Sequence, residues 1–440
     1  MRILYIHQSF CTRNGRSGTR SYEFAKFLVR RGHQVTMVTS TSHLSDVRVP
    51  AGQKSARLDI DGIQVIAIDV PYSHHMGVLG RGWSFLRFMF ESTRVALAAR
   101  GHDVVFATST PFTVAIPGML ASLVHRRPLV FEVRDLWPEA PIQLGALRNP
   151  VVIAALRALE KLTYRRSAAV IALSPGIRDG IVATGIPASR VPVIPNCSDL
   201  DLFVPEPPDP KVVARYGLQD YCVVTHAGSM GDKNGLETLI DAAEILQRAG
   251  RDDVKIVLVG EGRTETSLRA RIESKRLRNL VFTGGVSRTE VAEILKSSDV
   301  CLCLVKNVPV LSTCSPNKLF DALAAGRPVI VNIDGWMHEL VESNEVGLFA
   351  TPGSAADLAA CILELVGSYE TRHAMGIRAR RLAESQFDRQ QLAAQFERVL
   401  ATAAGVEVTP FESTGSGRSV SSVVLKTAST SHPVPVEAVK

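Results

Sequence analysis

The sequence has no run of about 18 or more apolar residues, so no segment is long enough to cross a bilayer as a helix. Its first residues, M-R-I-L-Y-I, enter a strand pattern directly and lack the basic, apolar and small-residue order of a secretion signal. A cytoplasmic chain is expected. The seven cysteines, an odd number spread from Cys11 to Cys361, include no C-x-x-C pair, which argues for reduced thiols rather than a disulfide framework or a zinc site. No helix-turn-helix, RNP or zinc-finger pattern occurs, so nothing supports nucleic acid as a partner.

What the chain does have is length and alternation. Its 440 residues exceed what one ordinary core accommodates, and two domains of similar size are expected. Runs with strand character at 2–7, 34–38, 63–68, 103–107, 128–132 and 169–173 alternate with helical patterns, as in a parallel, doubly wound α/β sheet. The prolines and aspartates of V-I-P-N-C-S-D-L-D-L-F-V-P-E-P-P-D-P break that rhythm. A second series follows at 222–226, 255–259, 281–283, 300–304 and 329–332. The predicted division is an N-terminal domain at 1–195, a linker at 196–210, a C-terminal domain at 211–387, and a helix at 388–404 returning toward the N-terminal domain. A tail at 405–440, rich in Ser, Thr, Val and Pro, is expected to be disordered.

Charge divides between the halves. Residues 1–195 hold 24 Lys and Arg against 12 Asp and Glu, a balance of +12, whereas the rest hold 26 against 31, or −5. A basic half suits a phosphate-bearing acceptor or an anionic membrane surface. Residues 81–100 place Trp83, Phe85, Phe88 and Phe90 among Arg81, Arg87 and Arg94, the composition of an interfacial helix. A helix covering the sheet has the same composition. His74 and His75 nearby lack a third metal ligand, and no metal site is expected.

In doubly wound sheets ligands bind outside the carboxyl ends of the strands, so the loops there hold the candidate chemistry. Around residues 312–332 the segment S-P-N-K-L-F-D-A-L-A-A-G-R-P reads as a helix with Ser315 as N-cap and Pro316 in first position. Its unpaired first-turn N–H groups and Lys318 make a seat for phosphate, with Asn317 beside them, and Asp321 on the Lys318 face suits sugar hydroxyls. The alternative is a surface Lys318–Asp321 pair. After the first strand, R-N-G-R-S-G-T with Gly15, Arg16 and Gly18 lets the backbone approach a phosphate or sugar, unless it is only a tight turn. Its G-x-x-G spacing, and the lack of an acidic residue after the second strand, speak against a dinucleotide-binding loop. In the second domain G-S-M-G-D-K-N-G, from Gly228, carries Lys233 as a diphosphate ligand or a solvated loop lysine. Glu132, Arg134 and Asp135 cluster in F-E-V-R-D-L-W-P, where Asp135, with His7 as second candidate, suits an acceptor hydroxyl. A structural Arg134–Glu132 pair is the rival there.

Taken together, these loops with VGEG, VFTGGV and SPNKLFDALAAGRPVIVN, in this order, resemble the retaining GT-B glycosyltransferases of glycosyltransferase family four over roughly residues 1–404. RDLWPEA and SPNK are similar to the subgroup that builds bacterial surface polysaccharides on lipid carriers. The resemblance implies two doubly wound domains facing across a cleft, a nucleotide-sugar donor on the second and a glycan or lipid-linked acceptor on the first. It implies a diphosphate between the Gly15–Gly18 loop, the Gly228 turn and the Ser315 helix, a ribose held by Asp321, and a base against Gly284 and Gly285. It places Arg16, Glu132 and Arg134 on the acceptor side and His7, Asp135 and Lys318 in the chemistry. It implies no cofactor and no metal, since cationic side chains and helix N-termini do that work. The chain departs from the family where Thr313 replaces a glutamate that contacts the donor sugar, which implies a deoxy or N-acetylated amino sugar. It departs again at Ser229 and Asn234, where the family carries phosphate-binding Arg and Lys. A GT-B epimerase or hydrolase of UDP-sugars, and a nonenzymatic nucleotide-sugar binder, are the alternatives.

Overall fold

The strands of this chain are short apolar runs, and runs of that kind persist only where both faces of a sheet are covered. In a computed structural model, which describes residues 1–13, 15, 18–44, 49, 53–72, 76–197 and 199–411, that cover is present over the inner strands of both halves. The first half builds β1 (Arg2–Ile6), β2 (Gln34–Ser40), β3 (Ser55–Ile60), β4 (Ile63–Ile68), β5 (Val104–Thr108), β6 (Leu129–Val133) and β7 (Ala169–Ala172). They form one sheet in the order β3-β4-β2-β1-β5-β6-β7, parallel except for the edge hairpin β3–β4. Its helices are α1 (Arg20–Arg30), α2 (Val78–Ala98), α3 (Ala115–His125), α4 (Glu139–Gln143), α5 (Pro150–Arg166) and α6 (Pro175–Ala183).

The second half builds β8 (Cys222–Ala227), β9 (Val254–Val259), β10 (Leu280–Gly284), β11 (Val300–Cys303), β12 (Val329–Val331) and β13 (Gly347–Phe349), all parallel in the order β10-β9-β8-β11-β12-β13. Around it lie α7 (Pro210–Tyr216), α8 (Leu236–Arg248), α9 (Glu265–Ser274), α10 (Arg288–Lys296), α11 (Asn317–Ala324), α12 (Trp336–Ser343), α13 (Ala355–Gly367) and α14 (Tyr369–Gln386). Among the described residues no helix is long and apolar enough to cross a membrane.

The last helix, α15 (Arg389–Ala404), leaves the second domain and covers the first. Asp388 caps it by accepting from the Gln391 N–H at 2.8 Å. Its Phe396 packs on Phe24 and Phe106 of the first domain, with ring centroids 5.3 and 4.7 Å away. The chain therefore crosses between domains twice, once through the linker and once here. Part of the expected tail is also placed: Arg31 donates to the Thr409 carbonyl and the Phe411 ring meets Phe27. Disorder is thus not the state of 405–411, because two residues of that stretch dock on the first domain. Residues 412–440 lie outside the described residues, as do Arg16, His74 and His75.

Candidate active site between the domains

The helix at the centre of the sequence reading begins later than its capping pattern suggests. Ser315 does not cap it: the Ser315 hydroxyl accepts from the backbone N–H of Asn196 at 3.3 Å, and the Ser315 carbonyl accepts from Asn196 Nδ2 at 2.6 Å. The linker has taken the cap, and α11 starts at Asn317 with no side-chain cap bond. First-turn N–H groups are left without a side-chain acceptor, and anions bind such ends. Asn317 also meets the first domain here: a Cβ on Gly18 would stand 2.8 Å from Asn317 Nδ2, so any larger residue at 18 would make the Asn317 amide shift. The domains touch again where Ser174 Oγ donates to the Thr313 carbonyl at 2.5 Å and the Val310 N–H donates to Gln143 Oε1 at 2.8 Å.

Lys318 points away from Asp321. Its ammonium donates to Asn234 Oδ1 at 2.9 Å and to the Leu304 carbonyl at 2.6 Å, against the Gly228 turn. Burial pushes its pKa down to about 8. Asn234, expected from the resemblance to stand in place of a lysine, holds the Lys318 ammonium through its side-chain oxygen. The turn itself is kept in place by VGEG: a Cβ at Gly260, whose φ is +129°, would collide with the Gly228 carbonyl oxygen. Lys233 is exposed at the same turn, and the Asp135 carboxylate raises its pKa before any other influence. Lys233 of the second domain thus lies within reach of the Asp135 charge of the first. Asp135 is half-buried and accepts from Thr110 Oγ1 at 3.2 Å.

Three expected site residues have other partners. Glu132 belongs to β6 rather than to the loop beyond it, is buried, and accepts from Arg20 Nε at 3.0 Å, Arg20 Nη2 at 2.8 Å and Thr108 Oγ1 at 2.7 Å. Burial raises its pKa, but the charges of Arg20 and Arg134 and these hydrogen bonds outweigh it, and the carboxylate stays below its ordinary range. Acceptor binding is therefore not its role; it anchors Arg20, whose other donors hold the carbonyls of Pro195 and Ile194 at the linker. His7 is also buried, with Nε2 3.2 Å from Arg134 Nη1. The guanidinium can only donate, so the Nε2 lone pair is taken, and burial followed by Arg134 drives the imidazole pKa well below its usual value. His7 orients Arg134 instead of receiving a substrate proton. Asp321, finally, is buried in a two-point pair with Arg288, at 2.8 and 3.2 Å.

Gly284 ends β10 at φ +73°, and Gly285 lies against the Glu261 carboxylate, so the loop expected to meet a base follows this edge strand. Sequence reading missed Arg20, Thr110, Asn196 and Arg288. Position was the only signal for three of them, Arg20 and Arg288 beside motifs that had been singled out and Asn196 within the linker; Thr110 had none.

The sequence divides between two families in chain order. Residues 17–197 match the "Glycosyl transferase 4-like domain" family and residues 214–382 match "Glycosyl transferases group 1". Each of the two domains thus matches a glycosyltransferase family. It is 26% identical over 300 residues to the "Putative colanic acid biosynthesis glycosyl transferase WcaI" of Escherichia coli, covering 65% of this chain and 71% of that one. It is also 26% identical over 348 residues to the GDP-mannose-dependent phosphatidylinositol monomannoside mannosyltransferase of Mycobacterium tuberculosis, covering 73% and 88%. Another relative, the alpha-D-kanosaminyltransferase of Streptomyces kanamyceticus, is matched over only 58% of its length. Among solved structures, HepE of Anabaena in complex with UDP and glucose superposes with a TM-score of 0.67 at 22% identity, covering 91% of this chain and all of that one. That likeness shows the GT-B fold.

Proposed function

We propose that this glycosyltransferase moves a sugar, with retention and without a metal ion, from a UDP-sugar or related nucleotide sugar to a lipid-linked glycan acceptor in surface-polysaccharide assembly. The observation that carries this reading is the half-buried Lys318 ammonium at the uncapped head of α11, set against the Gly228 turn, whose Lys233 feels the Asp135 charge of the first domain. A cation, a helix N-terminus and a glycine turn together suit a diphosphate leaving group, and they supply the charge that a metal ion would otherwise provide. The names of the relatives agree, since one acts in colanic acid biosynthesis and one on a phosphatidylinositol mannoside. Thr313 adds to the case for a deoxy or N-acetylamino donor. Its hydroxyl donates to the Val310 carbonyl at 2.8 Å, so no carboxylate stands there to bind sugar hydroxyls.

Lys318→Ala is expected to weaken UDP binding by about 1–3 kcal/mol, the range for a lost charge-assisted hydrogen bond. Binding should also depend on pH. With its pKa near 8, Lys318 is charged below that value and neutral above it, so wild-type affinity falls as pH rises through about 8 and the variant lacks that fall. Calorimetry with UDP checks both. Equal affinity in wild type and variant removes the donor site from α11.

A lipid-linked acceptor calls for contact with a membrane, and one face of the first domain suits it. Trp83 and Phe90 of α2 are 70% and 65% exposed, and Leu123 and Val124 of the adjoining α3 are exposed beside them. Arg87, Arg94, Arg126 and Arg127 lie exposed on the same two helices or at their ends. Phe88 is buried in the core under the sheet and Phe85 stacks on Tyr72, so two of the four aromatics pack inward and two face solvent. In flotation with anionic vesicles, Trp83→Ser with Phe90→Ser is expected to cut bound protein roughly fivefold or more. Neutral vesicles should bind the wild type more weakly, and binding that ignores lipid charge counts against the membrane part.

A further inference from the structure

Arg288 opens α10, directly after the Gly284–Gly285 loop, and its guanidinium spans both oxygens of Asp321, Nη2 to Oδ1 at 2.8 Å and Nη1 to Oδ2 at 3.2 Å. The same guanidinium lies over the ring of Phe203, 4.9 Å from its centroid. Phe203 comes from the linker and is fully buried in the core of the second domain. The two side chains are only 16% and 7% exposed, so this is a dry pair, unlike the exposed pairs that cost little to break. One residue thus connects the carboxylate expected to meet the ribose with the segment that joins the two domains.

We propose that Arg288 is a positioning residue of the donor site, holding the Asp321 carboxylate in one orientation from the linker so that its remaining lone pairs accept from the ribose hydroxyls. This rests on the nucleotide-donor reading above. A carboxylate has about four acceptor positions, and a two-point guanidinium leaves the outer ones open. The other charged or titratable groups facing Asp321 are Asp199 from the linker, which opposes its ionisation, and the Cys301 thiol of β11, pushed up to about 12 and neutral at ordinary pH. Burial alone raises the Asp321 pKa, and Arg288 works against it. Without Arg288 the carboxylate holds its proton to higher pH and loses one acceptor.

The test is UDP affinity by calorimetry for wild type, Arg288→Met and Arg288→Lys, from about pH 6 to about pH 8.5, with melting temperatures to establish folding. Arg288→Met is expected to bind UDP about tenfold more weakly at neutral pH, and the ratio of its dissociation constant to that of the wild type should shrink as pH rises. Taking the ratio removes the Lys318 titration that both proteins share. Arg288→Lys keeps the charge but only one well-placed donor, and a loss of roughly threefold with a flat ratio is expected. A role confined to stability would lower the melting temperature and leave the ratio unchanged with pH. Folded Arg288→Met that binds UDP like the wild type overturns the proposal; if that variant does not fold, wild-type affinity in Arg288→Lys overturns it. A wild type that binds neither UDP nor GDP takes down the donor reading, and this proposal with it.

Discussion

Glu132→Ala is expected to lower the unfolding free energy by about 3–5 kcal/mol, the cost of leaving one partner of a buried ion pair uncompensated. Arg20 and Glu132 are 2% and 1% exposed, and the guanidinium left behind has no water to turn to. Denaturant unfolding measures the loss. The double change Arg20→Met with Glu132→Leu should restore most of it, because apolar residues of similar volume replace a buried pair at little cost. The pair also predicts an acid response. The folded carboxylate has a lowered pKa, so its contribution is complete above the ordinary glutamate range and is lost as pH falls through the folded value. Glu132→Gln should show a flatter stability profile in acid. A Glu132→Ala protein as stable as the wild type would show that the pair contributes nothing to holding α1 against β6.

The other large effect is on catalysis. Asp135→Asn keeps the shape of the side chain and an oxygen for Thr110, but removes the charge that faces Lys233. Transfer to acceptor is expected to fall about 10²–10⁴-fold in kcat, the usual range for a positioned acid or base, while UDP affinity stays within about threefold. The split matters because Asp135 belongs to the first domain and the donor seat to the second. A kcat within a few-fold of the wild type would mean that the departing diphosphate deprotonates and positions the acceptor unaided. A parallel collapse of UDP affinity would place Asp135 in the donor seat instead. Either result is readable from kcat measured beside calorimetry.

Most of the strands were legible because a parallel strand covered on both faces is a contiguous apolar run, and such runs stand out between polar loops. The exceptions follow the same logic. β3 is an edge strand with alternating exposure in S-A-R-L-D-I, and β13 is three residues long, so neither carries the signal of a buried strand. The glycine turns were legible as well, since the close approach of backbone to backbone at Gly260 tolerates no side chain.

Partners were not legible. Glu132 and Arg134 lie two apart in sequence, yet the partner of Glu132 is Arg20, 112 residues away, and that of Arg134 is His7, 127 away. Ser315 and Pro316 obey the rules of a helix start, but a linker asparagine 119 residues away claims the serine. Lys318 and Asp321, three apart on one helix, separate to Asn234 and Arg288.

By itself the sequence determined two doubly wound sheets, the break between them and the loops at their carboxyl ends, because periodicity and turn chemistry are set by residues adjacent in the chain. Tertiary structure alone decided which group meets which: that the Lys318 ammonium lies on Asn234, that Arg288 pairs with Asp321, and that the Asp135 charge reaches Lys233. The first two pairings join segments of the second domain that lie far apart in the chain, and the third joins the two domains, a geometry that no local pattern encodes.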